Sequence, residues 1–168
     1  KLTFNDQGGY ANLSGLSTIK NDQHHDQHII IDHFNNSCQS EQLFKYILSD
    51  KSSGVFNGKV VVKENTQHTD ADQANKNLLL SSEAIMNTNP QLEIYSEDVK
   101  CSHGSTTGQI DSEALFYLQS RGISKSKSIE LIINGFAKDI VDHINNENIK
   151  SYINTKVTNW IEKVLIDV

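Results

Sequence analysis

No apolar run in the sequence approaches the roughly 20 residues that would carry a helix across a bilayer, and no secretory signal is visible, so a membrane protein is not expected. Cysteine is scarce: Cys38 and Cys101 are the only two, far apart in the chain. That excludes a disulfide framework and makes a reducing compartment the simpler reading. Positive charge is also short, with Lys+Arg 15 against Asp+Glu 21 and a formal net charge of -6. Nonspecific nucleic-acid binding needs a cationic surface that displaces counterions, so nucleic acid is not an expected partner. Catalytic signatures are missing as well. The chain has no GxxxxGK[ST] phosphate loop, no G-x-S-x-G, no H-E-x-x-H and no C-x-x-C, so neither a P-loop ATPase nor a nucleophile–base pair can be assigned.

What remains is a chain of 168 residues, 36% hydrophobic, enough for one medium domain or a domain with a small appendage. Asn, Ser and Gln are abundant in its polar stretches, which reads as compositional drift. It begins at Lys1 rather than Met, as a fragment or a processed product would.

The character changes near Asp111. Before it lie the short apolar bursts Ile29–Ile31, Val60–Val62, Leu78–Leu80, Ile85–Met86, Leu92–Ile94 and Val99–Cys101, bounded by Asn, Gly and Ser. Such runs read as strands. The last four start at 78, 85, 92 and 99. This step of seven is not a coiled coil, because no second apolar seam accompanies it and Asn89–Pro90 interrupts any helix. It suggests one strand per burst, stacked as coils of a β-solenoid, with a β-sandwich as the even alternative. After Asp111 the spacing is helical. Asp111 caps Ser112–Arg121, with Glu113 in the first turn and Gly122 as the stop. Ser124 caps a second helix with Ile129, Ile132, Ile133, Phe136, Ile140 and Ile144 on the 3.6-residue period, and a third carries Ile149, Ile153, Val157, Trp160, Ile161 and Val164. The expected organisation is residues 1–110 as strands and 111–168 as a helical domain. These stripes are expected to pack on their own core or end-cap the solenoid. A solenoid that starts in mid-coil would expose unpaired strand groups, to be covered by more chain, a partner or a second copy in a homodimer.

Three constellations could carry chemistry. His24, His25 and His28 sit in an Asn-Asp-Gln context that reads as a surface loop, where a metal site would need three or four convergent ligands. Asp70 and Asp72, near His68, would share one face of a strand and could serve a carbohydrate-cleaving solenoid enzyme, although a solvated turn is the plainer reading. Cys101 and His103, at the end of the last strand, would project to one side. A thiolate and a neutral imidazole are ligand types that iron and zinc accept. A buried structural cysteine beside a turn histidine is the competing reading, and Cys38 is weaker still.

The stretch Pro90-Gln-Leu-Glu-Ile-Tyr-Ser-Glu-Asp-Val-Lys-Cys-Ser-His-Gly104, then Gly108-Gln-Ile-Asp111 and Ala114-Leu-Phe-Tyr-Leu-Gln-Ser-Arg-Gly-Ile123, resembles the C-terminal signature of the SufB/SufD family of iron–sulfur cluster assembly scaffolds, on its SufD side. Val55-Phe-Asn-Gly-Lys59, Gln67-His-Thr-Asp70, Gln73-Ala-Asn-Lys-Asn-Leu-Leu-Leu-Ser81 and Gln39-Ser-Glu-Gln-Leu-Phe-Lys45 match in the same order, so the likeness runs from about Asp32 to about Phe136. Ser-His-Gly stands where the SufB side carries a Glu after the His. Two places depart from the family pattern: Asn35-Asn-Ser-Cys38 replaces a Gly/Pro-containing turn, and the region after Lys138 is Asn-rich.

The resemblance implies a right-handed parallel β-helix followed by a small α-helical region. It implies a non-enzymatic scaffold that pairs with a SufB-like homologue near the Cys-x-His segment and binds a SufC-like ABC-type ATPase through the helices. His103, with Cys101, is then the cluster-assembly and metal candidate at the partner interface. Leu115, Phe116, Arg121, Gly122, Ile123 and Phe136 are the candidate ATPase contacts. No cofactor is expected to be bound permanently; a transient iron–sulfur cluster is the cargo. The location implied is the cytoplasm or, in a eukaryote, a plastid-type organelle. A solenoid interaction module in which Cys101 is merely structural remains the alternative.

Overall fold

In the computed structural model, which describes residues 1–165, strands β1 (Leu2–Phe4), β2 (Tyr10–Ile19), β3 (His24–His33), β4 (Gln39–Leu48), β5 (Ser53–Val62), β6 (Thr69–Leu79), β7 (Ile85–Ile94) and β8 (Val99–Gln109) precede helices α1 (Ser112–Ser120), α2 (Lys125–Val141) and α3 (Glu147–Leu165). Each strand from β1 to β6 pairs in parallel with the strand two further on, giving one sheet in the order β1-β3-β5-β7 and a second in the order β2-β4-β6-β8. The chain therefore winds as a β-solenoid of about four turns, two strands per coil, with helices after it. Tyr10 pairs with Gln39, Gln39 with Asp70 and Asp70 with Lys100, so one coil takes about 30 residues.

This repeat, and not the step of seven, is the period of the fold. The bursts at Ile85 and Leu92 lie in a single strand, β7. Asn89–Pro90 sits inside that strand rather than in a turn. β7 is an edge of its sheet, where the missing Pro90 N–H removes no ladder bond to a further described strand. His24, His25 and His28 are likewise in strand β3, not in a loop. The coil corners use left-handed residues at Asn21, Ser37, Asp50, Asn65 and His68. Asn and Asp tolerate that region better than other side chains, and they also lace the corners together. Asp50 accepts from the Asn21 N–H at 2.8 Å, and Asn36 from the Gln67 N–H at 2.8 Å. Part of the Asn surplus is thus structural.

Strand alternation sends one set of side chains into the coil. Ile31, Tyr46, Leu48, Phe56, Val60 and Val62 are fully buried there. So are Ser40, Gln42, Gln73, Asn75 and Asn77, which makes the interior mixed rather than oily. The outward face of the second sheet is half covered. Ile47 of β4 and Leu78 of β6 join Ile129, Ile133 and Ala137 of α2 and Val157 and Ile161 of α3 in one core. Helices and solenoid therefore share packing. Lys45, outward on β4 and only 2% exposed, donates to the Phe136 carbonyl at 2.7 Å and to Asp139 at 2.6 Å, with its ammonium 4.5 Å from the Phe136 ring. A buried ammonium needs such partners. Here they come from α2 and fix that helix over the sheet. The caps are those the sequence suggests: Asp111 accepts from the Glu113 N–H, Ser124 from the Lys127 N–H, and Gly122 takes φ 83 after α1. Two stripe positions differ. Ile144 falls beyond the end of α2, and Ile149, in the first turn of α3, is 52% exposed.

Candidate functional site

The last described coil is open. β7 and β8 are edges of their sheets, and the side chains they send inward have a coil on one side only. Cys101 and His103 lie near the start of β8, not at its end. Alternation puts both on the inward face, together with Val99, Ser105 and Thr107, while Lys100 and Ser102 point outward. On β6 their register partners are Ala71 for Cys101, Gln73 for His103 and Asn75 for Ser105. Cys101, like Leu92 and Val99, packs against the buried cluster of Val60, Val62 and Ala71. Burial, aided by the Asp70 carboxylate, pushes its thiol above the ordinary range, against a hydrogen bond from the Ala71 backbone. At neutral pH it is a thiol, not a ready ligand. Ser105 donates to Asn75 at 3.1 Å and bonds Thr88 of β7 across the coil at 2.8 Å. His103 is exposed and makes no hydrogen bond or ion pair among the described residues.

The outward face beside these residues is a shallow groove of about 530 Å³ whose lining includes Glu41, Asp70, Asp72, Lys100, Ser102 and His143. Asp70 and Asp72 do share this face, as strand alternation requires. Each is engaged by the neighbouring strand, Asp72 by the Ser102 hydroxyl and Asp70 by Lys100 at 3.8 Å. His68 is drawn away to Asp98, at 2.9 Å. The β3 histidines are not brought together. His24 and His28, four residues apart on a strand, stand roughly 13 Å from one another. His24 bonds Ser53 at 2.7 Å, and His28 lies 3.0 Å from Asp26. No group of three His, Cys, Asp or Glu among the described residues is arranged to hold a metal ion. Cys38 is sealed against Phe4 and Ile31 and donates to the Asp6 carbonyl at 3.3 Å.

Of the helical candidates, Leu115 is half-buried against the shared core, while Phe116 is 72% exposed. The Arg121 guanidinium lies 5.3 Å from the Tyr117 ring, and Gly122 is at the exposed turn before the half-buried Ile123. Phe136 belongs to the Lys45 contact and packs on the core. Sequence reading did not single out Lys45, Gln42, Gln73, Asn75 or Asn77. Their signal was the coil spacing: Gln42, Gln73 and His103 recur at matching positions of successive coils.

Geometry thus defines a parallel β-solenoid that leaves a partly polar interior, with one unpartnered histidine, at an open end beside a helical unit. The family model for the SUF system FeS cluster assembly SufBD core domain matches residues 1–136. The chain belongs to that SufB/SufD family. It is 42% identical over 127 residues to the iron-sulfur cluster assembly protein SufD of Escherichia coli, covering 76% of this chain and 30% of that protein. It is 33% identical over 150 residues to the SufD of Plasmodium falciparum, covering 89% of this chain and 10% of that protein. To the chloroplastic protein ABCI7 of Arabidopsis thaliana it is 36% identical over 150 residues, covering 86% of this chain and 31% of that protein. The matches are those expected of the C-terminal part of a SufD protein. The chain spans about a third or less of the length of these relatives. No described helix is long and apolar enough to cross a membrane.

Proposed function

We propose that this chain is the C-terminal part of a scaffold subunit in SUF iron–sulfur cluster assembly, and that its open coil meets a SufB-like homologue with His103 at the junction. The observation that carries this is an inward-facing imidazole, without a partner, on an edge strand whose neighbouring coil position is vacant among the described residues. A neutral imidazole is a nitrogen ligand for iron and also a proton carrier near neutral pH. One side chain is fewer than a cluster needs, so the remaining ligands come from the partner. Cys101 is the lesser candidate, because its thiol is held protonated among apolar side chains and it serves the packing of the strand.

The second contact is with a SufC-like ABC-type ATPase, which supplies the ATP hydrolysis for which this chain has no phosphate loop. Its surface is centred on Phe116, Arg121, Gly122 and Ile123, with Leu115 and Phe136 supporting it from the core side. Phe116 and Tyr117 are large, exposed and adjacent on α1, which has no fully buried residue of its own. Exposed aromatics next to an Arg are the composition of interface centres. Assembly takes place in the cytoplasm or, in a eukaryote, in a plastid-type organelle. The cluster is cargo and not a resident group.

The test is reconstitution with SufB and SufC partners. His103→Ala is expected to lower iron and sulfide incorporation while leaving the complex intact. Unchanged incorporation removes His103 from the mechanism. Phe116→Ala together with Arg121→Ala is expected to weaken ATPase binding about tenfold or more, within the range of interface anchors; undiminished binding moves the contact elsewhere.

A further inference from the structure

We propose that Gln73 is the positioning residue of His103: when the exposed imidazole turns into the coil, the Gln73 side-chain oxygen accepts its N–H, fixes the tautomer, and leaves the other ring nitrogen free at the open end. This rests on the reading of His103 as the assembly residue.

Gln73 is 1% exposed, inside the coil on β6. Its amide nitrogen donates to Gln42 on the previous coil at 3.3 Å. Its amide oxygen is buried and has no partner. A buried amide oxygen left in that state is destabilising, so a donor is expected nearby. On the far side of β6, the register partner of Gln73 is His103, inward and likewise unpartnered. Adjacent strands lie about 4.8 Å apart, which brings register partners on one face into contact range.

The Gln42 amide nitrogen is a second donor, buried and without a partner, but Gln42 already faces Gln73 through its oxygen. Across the last coil Ser105 bonds Thr88 at 2.8 Å, and inward side chains alternate along both strands. Pro90 therefore stands opposite His103, and it has no N–H to offer. One coil earlier the corresponding residue is Gly58. A Cβ there would fall 2.5 Å from the Gln73 amide nitrogen and 2.8 Å from its carbonyl carbon. Glycine at 58 is what lets the glutamine lie flat in the interior. The resulting polarity runs one way: His103 donates to Gln73, and Gln73 donates to Gln42. Such outer partners commonly set which imidazole nitrogen is free to ligate.

Ring-nitrogen NMR on the intact chain reads this directly, without partners or iron. The wild-type protein is expected to show His103 predominantly in one tautomer. Gln73→Leu should shift the tautomer ratio about fivefold, the population change that a hydrogen bond of about 1 kcal/mol produces. Gln73→Glu, which keeps an acceptor, should retain the wild-type tautomer. Gly58→Ala, which displaces the amide, should move the ratio in the same direction as the leucine variant. If Gln73→Leu does not fold, Gln73→Met is read in its place. A wild-type tautomer ratio equal to that of an exposed histidine, or one that Gln73 and Gly58 substitutions leave unmoved, overturns the proposal. Failure of the His103→Ala reconstitution test would remove the functional reading while leaving this hydrogen bond standing, so the two fail separately.

Discussion

Two histidines separate the closed coils from the open one. His33 and His103 both point into the solenoid from a strand. His33 lies beneath further coils, is fully buried, stacks on Phe4 and bonds Ser40 at 2.8 Å. Burial lowers its pKa to about 4, against the opposing pull of Asp32. It is neutral throughout the physiological range and out of reach of solvent. His103 has the same orientation and lacks only the coil that would cover it. What turns an interior position into an accessible one here is the end of the stack and not a special local motif. A parallel solenoid presents its interior wherever stacking stops, and that surface is already shaped to receive a similar coil.

The comparison can be broken most severely by cutting into each coil. Phe56→Ala, in the closed interior, is expected to lose about 3–5 kcal/mol in urea unfolding. Leu92→Ala, half-buried in the open coil, should cost less than half as much in the same assay. Equal costs would mean that the last coil is as tightly sealed as the middle ones.

Next in size is the pH dependence of His33. A histidine whose folded pKa is lowered binds fewer protons folded than unfolded. Its contribution is therefore fully present above its unfolded pKa near 6.5 and is lost as pH falls toward about 4. The span corresponds to about 3 kcal/mol. His33→Phe should flatten that part of the stability profile. A profile that keeps its slope in this variant would take His33 out of the closed interior.

A smaller effect is expected at the joint between solenoid and helices. Asp139→Ala leaves the Lys45 ammonium buried with the Phe136 carbonyl and ring. Because Asp139 itself is about half exposed, the cost should stay near 1–2 kcal/mol. It should appear as faster amide exchange in α2, with β5 and β6 unaffected. The hydrogen bond from Lys45 holds the Asp139 carboxyl below its usual range, so this contribution persists above the ordinary aspartate pKa and fades as pH falls through the lowered value. The smallest expected change is Asp111→Ala, about 1 kcal/mol from the lost cap of α1, measurable as reduced helicity on mild heating.

The helices were legible because their signals are local. Asp111, Ser124 and Gly122 mark boundaries, and the apolar period follows one face. The strands were legible only where they are apolar. Asp70 to Asn77 in β6 alternates between an outward face of Asp70, Asp72 and Lys76 and an inward face of Gln73, Asn75 and Asn77. With polar groups on both faces, no alternation stands out. The same holds for His24–Gln27 in β3 and Gly104–Gln109 in β8. The true period is a coil of about 30 residues, which few repeats disclose and which the accidental step of seven obscured. His103 and Cys101 could be named from the family signature and their spacing. The Gln73–His103 register and the Lys45 joint depend on which residues stack across coils, a relation that appears only once the pairing is known.

The central claim is that the open coil lends His103 to cluster assembly at a partner interface. The most direct measurement is iron and sulfide content, with the visible absorption of the cluster, in complexes reconstituted from SufB and SufC partners with either wild-type or His103→Ala protein. The account predicts a clear loss of cluster in the variant with equal recovery of complex, and no loss for Ser102→Ala on the opposite face of the same strand. Full cluster content with His103→Ala would contradict it.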